Sequence, residues 1–229
     1  MAWFEFNGRK SSEMGVIIEK MPSIIMPSRT YDEIQIPGAD TNVSKPGQLE
    51  KILYSFECRL MTTDPKELRK IISWLSTTEQ SKLILSTEED VYYNAKVINS
   101  IPFEKVFRRY TRFIIQFECE PYAYSKEDEV MTLTNKINIL FNPGVYENRP
   151  IFKIYGSGTC ILKVNDNEIK FNNIDGYITM DCSLFECYKE DELMNSKMNG
   201  VYPSLKLGDN KIELVQNITK IEITPNWRF

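Results

Sequence analysis

The chain has 229 residues, 42% apolar and 26% charged, which excludes a disordered polymer and fits one large domain or two of about 100–130 residues. Its net charge of −4, with Lys and Arg dispersed, supplies no basic stripe for nucleic acid and no attraction to an anionic membrane surface. It contains no histidine, which removes Ser-His-Asp and Cys-His nucleophile systems, HExxH metal sites and imidazole acid–base chemistry.

Residues 2–6 (Ala-Trp-Phe-Glu-Phe) read as a strand and Asn7-Gly8 as the turn after it. This N-terminus carries Glu5 and Asn7 and lacks the uninterrupted apolar region of a secretory signal, so synthesis and folding in a cytoplasm are expected. No apolar run approaches the ~20 residues of a membrane span, and no membrane insertion is expected. Met14–Lys20 holds the β-branched Val16, Ile17 and Ile18 of a second strand. Tyr31–Gly38 places Ile34 and Ile36 on one face before Pro37-Gly38 breaks it. Residues 39–50 are polar, with Pro and Gly, and read as a loop or exposed arm.

Alternation returns from Ile52 to Met61, with Tyr54, Phe56, Cys58 and Leu60 on one face. A helix over about 64–76 follows. Asp64 is its N-cap, Pro65 its first residue, and Glu67 completes a capping box. Leu68, Ile71, Ile72 and Leu75 then form an apolar stripe that packs on a sheet. Lys82–Ser86, Tyr92–Ile98 and Arg112–Cys119 complete the first half as strands. The triplet Phe-Glu-Cys occurs at residues 56–58 and 117–119, which reads as two similar strands in one fold.

The second half repeats short strands between turn residues: Ile151–Tyr155, Cys160–Val164, Glu168–Phe171, Tyr177–Asp181, Leu184–Tyr188, Ser204–Leu207, Lys211–Val215 and Ile218–Thr224. Gly156-Ser157-Gly158 closes the first of them, and Val164–Ile169 and Leu207–Ile212 read as hairpin turns. About eight helix-free strands in ~80 residues is the pattern of a β-sandwich. The stretch NPGVYENRP (Asn142–Pro150) therefore reads as punctuation between two domains. The expected division is 1–135 as an N-terminal β domain with one helix, 136–149 as linker and 150–229 as a C-terminal sandwich.

Several pieces, in order, resemble one known family. They are FEFNGRKSSEMGVIIEKMPSI and IQIPGADT, the helix ending in WLS, FECEPYAY, NPGVYENRPIFKIYGSG, YPSLKLGDNKI and the terminal ITPNWRF. Together they are similar to the distal tail protein of siphovirus-type phages, prophages and phage-tail-like particles. The resemblance covers essentially the whole chain, and the 142–158 junction and the PNWR segment are its most specific parts. It implies a mainly β structural virion protein rather than an enzyme: an N-terminal ring-forming domain with one amphipathic helix and a C-terminal galectin-like β-sandwich. It also implies a hexameric ring, a baseplate hub at the distal end of the tail. The implied partners are further copies of itself, the tail tube protein, the tail-tip or tail-associated lysin protein and, at its side, a receptor-binding protein. Residues 39–50 would serve as an arm embracing the neighbouring subunit.

Sharper site readings are weaker. Five cysteines (Cys58, Cys119, Cys160, Cys182, Cys187) without a CxxC pair read as buried apolar side chains. Glu118 and Glu120 lie about 6.5–7 Å apart by strand rise, a spacing open to a glycosidase but common on solvated strand faces. Glu88-Glu89-Asp90 and Glu190-Asp191-Glu192 read as solvated loop charges, and Asp40, Asp166 and Asp209 as turn formers. Catalytic, cofactor and metal residues are therefore expected to be none. The alternative reading is a cell-wall carbohydrate-binding attachment module, acting through Tyr177, Tyr188 and Tyr202 of the C-terminal sandwich. Trp227 reads as a core or docking residue instead of a sugar platform.

Overall fold

Residues alternating in and out every second position build most of this chain into strands. The computed structural model describes residues 2–38, 41–62, 64–103, 112–126 and 129–229. It separates the chain into two compact units, Met1–Ala123 and Tyr124–Phe229. The first contains β1 (Phe4–Phe6), β2 (Arg9–Lys10), β3 (Val16–Lys20), β4 (Arg29–Ile34), β5 (Val43–Leu49), β6 (Ile52–Leu60), α1 (Pro65–Leu75), β7 (Ser81–Leu85), β8 (Glu88–Val97) and β9 (Arg112–Cys119). One sheet runs in the order β2-β1-β7-β8-β9-β6-β3, and β4 and β5 form a separate two-stranded ribbon.

Strand β6 buries Ile52, Tyr54, Phe56, Cys58 and Leu60 and turns the intervening side chains outward, as its alternation predicts. The two Phe-Glu-Cys strands are neighbours, with Phe56 opposite Ile115 and Cys58 opposite Phe113. Helix α1 starts where expected: the Asp64 carboxylate accepts from the Lys66 amide at 3.0 Å, and Pro65 follows. Glu67 does not close a capping box; its carboxylate pairs with Lys70 at 2.8 Å. The buried face is Ile71, Trp74 and Leu75, whereas Ile72 is 46% exposed. Trp74 explains the shift, because its ring stacks on Phe4 at 5.7 Å and its indole N–H donates to the Phe6 carbonyl at 2.7 Å. One large aromatic with a satisfied N–H outweighs an isoleucine in setting which face points inward.

The second unit contains β10 (Tyr124–Ser125), β11 (Met131–Leu133), β12 (Ile137–Asn142), β13 (Ile151–Val164), β14 (Asn167–Asp181), β15 (Glu186–Lys189), β16 (Glu192–Leu193), β17 (Met198–Asn199) and β18 (Gly208–Thr224). Its eight-stranded sheet follows β11-β18-β13-β14-β15-β16, with β12 on β18 and β17 on β14. Six of the expected short strands are thus merged in pairs into three long ones, β13, β14 and β18. The Gly and Asn residues that read as turns act as bulges instead. Burial moves from odd to even positions between Phe171 and Ile174, and from even to odd between Leu214 and Ile221. Asn173 and Asn217 lie in these gaps with φ of 53° and 52°, a left-handed conformation that asparagine tolerates. Ser204–Leu207 forms only a bridge at Leu205, and Leu207–Ile212 is not a hairpin turn because β18 begins at Gly208.

The expected linker at 136–149 is also structured. Ile137–Asn142 pairs with β18, and in the punctuation after it Gly144, Asn148 and Pro150 are buried. The Asn142 side-chain amide donates to the Asn148 Oδ1 at 3.0 Å, and its own Oδ1 accepts from the Gly144 backbone N–H at 2.9 Å. Asn148 in turn donates to the Pro225 carbonyl and exchanges backbone hydrogen bonds with Leu205. Turn-rich composition resembled a linker here because the same polar residues can satisfy a buried corner.

At the centre of the β13 bulge a Cβ on Gly156 would collide with the Asn217 carbonyl oxygen and come within 2.7 Å of the Cys160 sulfur. Gly156→Ala is expected to cost about 1–3 kcal/mol in denaturant unfolding, as overpacking does. Ser157→Ala, at an exposed neighbour, should be nearly neutral.

Candidate interaction surface

Strands β4 and β5 follow and precede chain segments that carry unusual surface. Ile34 faces Val43 and Tyr31 faces Pro46 across the ribbon. Every residue of β4 is exposed. Side-chain bonds across the ribbon hold it: Arg29 donates to the Gly47 carbonyl at 2.8 Å, and the Thr30 hydroxyl donates to the Gln48 carbonyl at 3.2 Å. Ser28 also bonds Glu50 at its base, and a Cβ on Gly47 would overlap the Thr30 hydroxyl. The polar stretch expected as a loop is therefore a strand over Val43–Leu49, because a partner strand at 29–34 pairs with it. Asp40 lies outside the described residues.

Along this segment Ile24, Met26, Tyr31, Ile34, Ile36 and Val43 are all at least 49% exposed, with Met26 reaching 86%. A lone two-stranded ribbon is marginal in water. Exposed apolar side chains in such density are the composition of an interaction surface. A second unguarded edge lies on β12, where Ile137, Ile139 and Phe141 all point to solvent. Sequence reading found the arm only as a polar stretch; the signal it passed over was Ile24-Ile25-Met26 between Pro22 and Pro27.

Glu118 is held by Lys51 at 2.9 Å and Lys96 at 3.1 Å, whose hydrogen bonds lower its pKa. Glu120 accepts from the Asn94 amide instead. Glu88-Glu89-Asp90 is not a loop but the start of β8, where Glu88 accepts from the Tyr93 hydroxyl at 3.0 Å. Glu190 and Asp191 make the β15–β16 turn, Asp166 sits in the β13–β14 turn, and Asp209 faces Phe141 within the sheet. Among the described residues no cluster of His, Cys, Asp or Glu could hold a metal. All five cysteines are free and buried, and burial pushes the Cys58 and Cys119 thiols up to about 12.

Tyr177 and Tyr188 share one face of the sheet. Tyr177 lies 5.9 Å from Tyr155 and beneath Lys153 at 4.6 Å, so lysine already covers its ring. Tyr202 is elsewhere, against Phe185 and the Cys187 sulfur. Trp227 is buried in the core of the second unit.

The model of the phage tail protein N-terminal domain matches residues 2–121. The chain belongs to this family of phage tail proteins. Two kinds of solved structure share its fold. The Dit protein of phage SPP1, described as a paradigm of the hub adsorption apparatus in phages that infect Gram-positive bacteria, aligns with a TM-score of 0.77 at 12% identity, over 100% of this chain and 99% of that one. A chain of the phage P2 baseplate, in its activated conformation with Ca, aligns with a TM-score of 0.57 at 11% identity, over 97% of each. No curated protein matches. These relatives are structural components of tails and baseplates, not enzymes.

Among the described residues the ribbon is a two-stranded sheet with no second layer of its own. Backbone amides of 29–34 and 43–49 are expected to exchange quickly in the isolated chain and slowly in the assembled particle, read by hydrogen exchange. Equal rates in both states would remove it as an interface.

Proposed function

We propose that this protein is the distal tail hub, a hexameric ring that joins the tail tube to the tail tip or baseplate at the distal end of the virion tail. The observation that carries this reading is the exposed β4–β5 arm, on a chain that follows the SPP1 hub fold from end to end. A cyclic ring needs one chain to supply two complementary surfaces. An arm with apolar side chains and no core beneath it is suited to be one of them, laid on the neighbouring subunit. The first unit, on this reading, builds the ring, and the second is a galectin-like sandwich. Its partners are its own copies, the tube protein, the tail-tip or lysin-bearing protein, and a receptor-binding protein at the side. It is made in the host cytoplasm and leaves within the particle. The glycan-binding alternative gains no comparable support, since Trp227 is buried and Tyr177 is covered by lysine.

Light scattering across a concentration series tests the ring. Six copies of 26.8 kDa, roughly 160 kDa, are expected. A strict monomer that fails to assemble even with tube and tip proteins would overturn the reading. The double substitution Met26→Asp and Ile36→Asp should shift the mass to monomer while leaving the melting temperature within about 4 °C, because both side chains are exposed and outside the core.

A further inference from the structure

The turn between β14 and β15 holds a bulky aromatic in a conformation that such residues avoid. Phe185 has φ of 58°, in the left-handed region. The turn is locked from below. The buried Asp181 carboxylate accepts from the Ser183 amide at 2.8 Å, the Ser183 hydroxyl at 2.6 Å and the Leu184 amide at 3.1 Å. What this lock presents to water is Leu184, 63% exposed, and Phe185, 51% exposed. A turn serving only to connect two strands would place a glycine or asparagine at that φ and a polar residue before it. Strain of this kind persists where the surroundings over-determine it, and it gathers at ligand clamps.

Two further groups complete the patch. Tyr202 packs edge-on against Phe185 at 5.6 Å, and Val201 beside it in sequence is 68% exposed. The Arg149 guanidinium stacks over the other side of the patch, 4.4 Å from the Phe185 ring centre. Among the described residues Arg149 has no carboxylate in ion-pair range. Its planar head is therefore oriented on an aromatic face with its donors uncommitted. Aromatic rings and an arginine, rimmed by exposed aliphatics, is the composition of a binding hot spot.

We propose that Arg149, Leu184, Phe185 and Tyr202 form a docking site for an extended segment of another protein of the same particle, one that carries a carboxylate beside a large apolar side chain. The carboxylate takes the open guanidinium in a two-pronged pair, and the apolar neighbour covers Leu184 and Phe185. Charge complementarity selects this occupant: a cation without its own counter-ion, set against apolar surface, favours an acidic–apolar motif over a basic or purely polar one. The identity of the partner as a tail component rests on the hub reading; the chemistry of the site does not.

The test is an array of overlapping peptides covering the tail-tip and side-mounted proteins of the particle, probed with the full-length chain and three variants. Wild type should bind a small set of peptides, each with Asp or Glu within a few positions of a large apolar residue. Arg149→Glu should lose at least tenfold of that signal and regain it on the same peptides with the acid changed to Lys. Leu184→Ser should weaken binding, and Phe185→Asn should abolish it, with melting temperatures within about 4 °C of the parent because asparagine accepts the left-handed turn. No bound peptide, or equal binding by Arg149→Glu, would overturn the site. A hexamer that binds no peptide leaves the hub and removes this patch; bound peptides on a chain that never forms a ring do the reverse.

Discussion

A two-stranded ribbon has two faces and no second layer, so apolar side chains on it stay wet until another molecule supplies the layer. Among the described residues, that constraint sets the β4–β5 ribbon apart from the two eight-stranded sheets. Strands β6 and β9 close over Phe4, Phe56 and Phe117, and β13, β14 and β18 enclose Phe152, Phe171 and Ile221. The ribbon, with Tyr31, Ile34 and Val43 in water, is left with its apolar side chains uncovered. On the proposed ring reading, each subunit would lend its ribbon to a neighbour.

The second unit satisfies a different requirement. Long strands that bend must dispose of an extra residue at the bend, and Asn173 and Asn217 take that residue in the left-handed region while Gly156 lets the Asn217 carbonyl close in. Around this frame, buried amides act as connectors. Asn142 and Asn148 join the junction loop to Leu205 and Pro225, and the Asn226 amide returns to the Arg149 carbonyl. The two segments most specific to the family resemblance, 142–158 and PNWR, thus meet in space. Their unusual residues serve the same corner.

What the sequence made legible follows from the range of the physics involved. The β6 alternation and the Asp64-Pro65 start of the helix are local, and both are in place. Trp74 displaced Ile72 from the buried face because its partner, Phe4, lies 70 residues away by number, beyond any periodicity. Turn residues within β13, β14 and β18 were misleading because glycine and asparagine serve bulges and turns equally well. The ribbon was half legible: its polarity read as exposure, but its pairing depends on the register between 29–34 and 43–49. The Phe185 patch was illegible as a site, since neither a left-handed phenylalanine nor an arginine stacked upon it leaves a mark in composition.

The five buried thiols carry a practical consequence. Desolvation keeps each one protonated and shut away from solvent, so the native chain is almost inert to maleimides and to oxidative cross-linking. A single cysteine introduced on the ribbon or beside Arg149 would then be the one reactive sulfur on the surface. Spectroscopic labels and tethers can be addressed to this phage tail protein without first stripping it of its own cysteines.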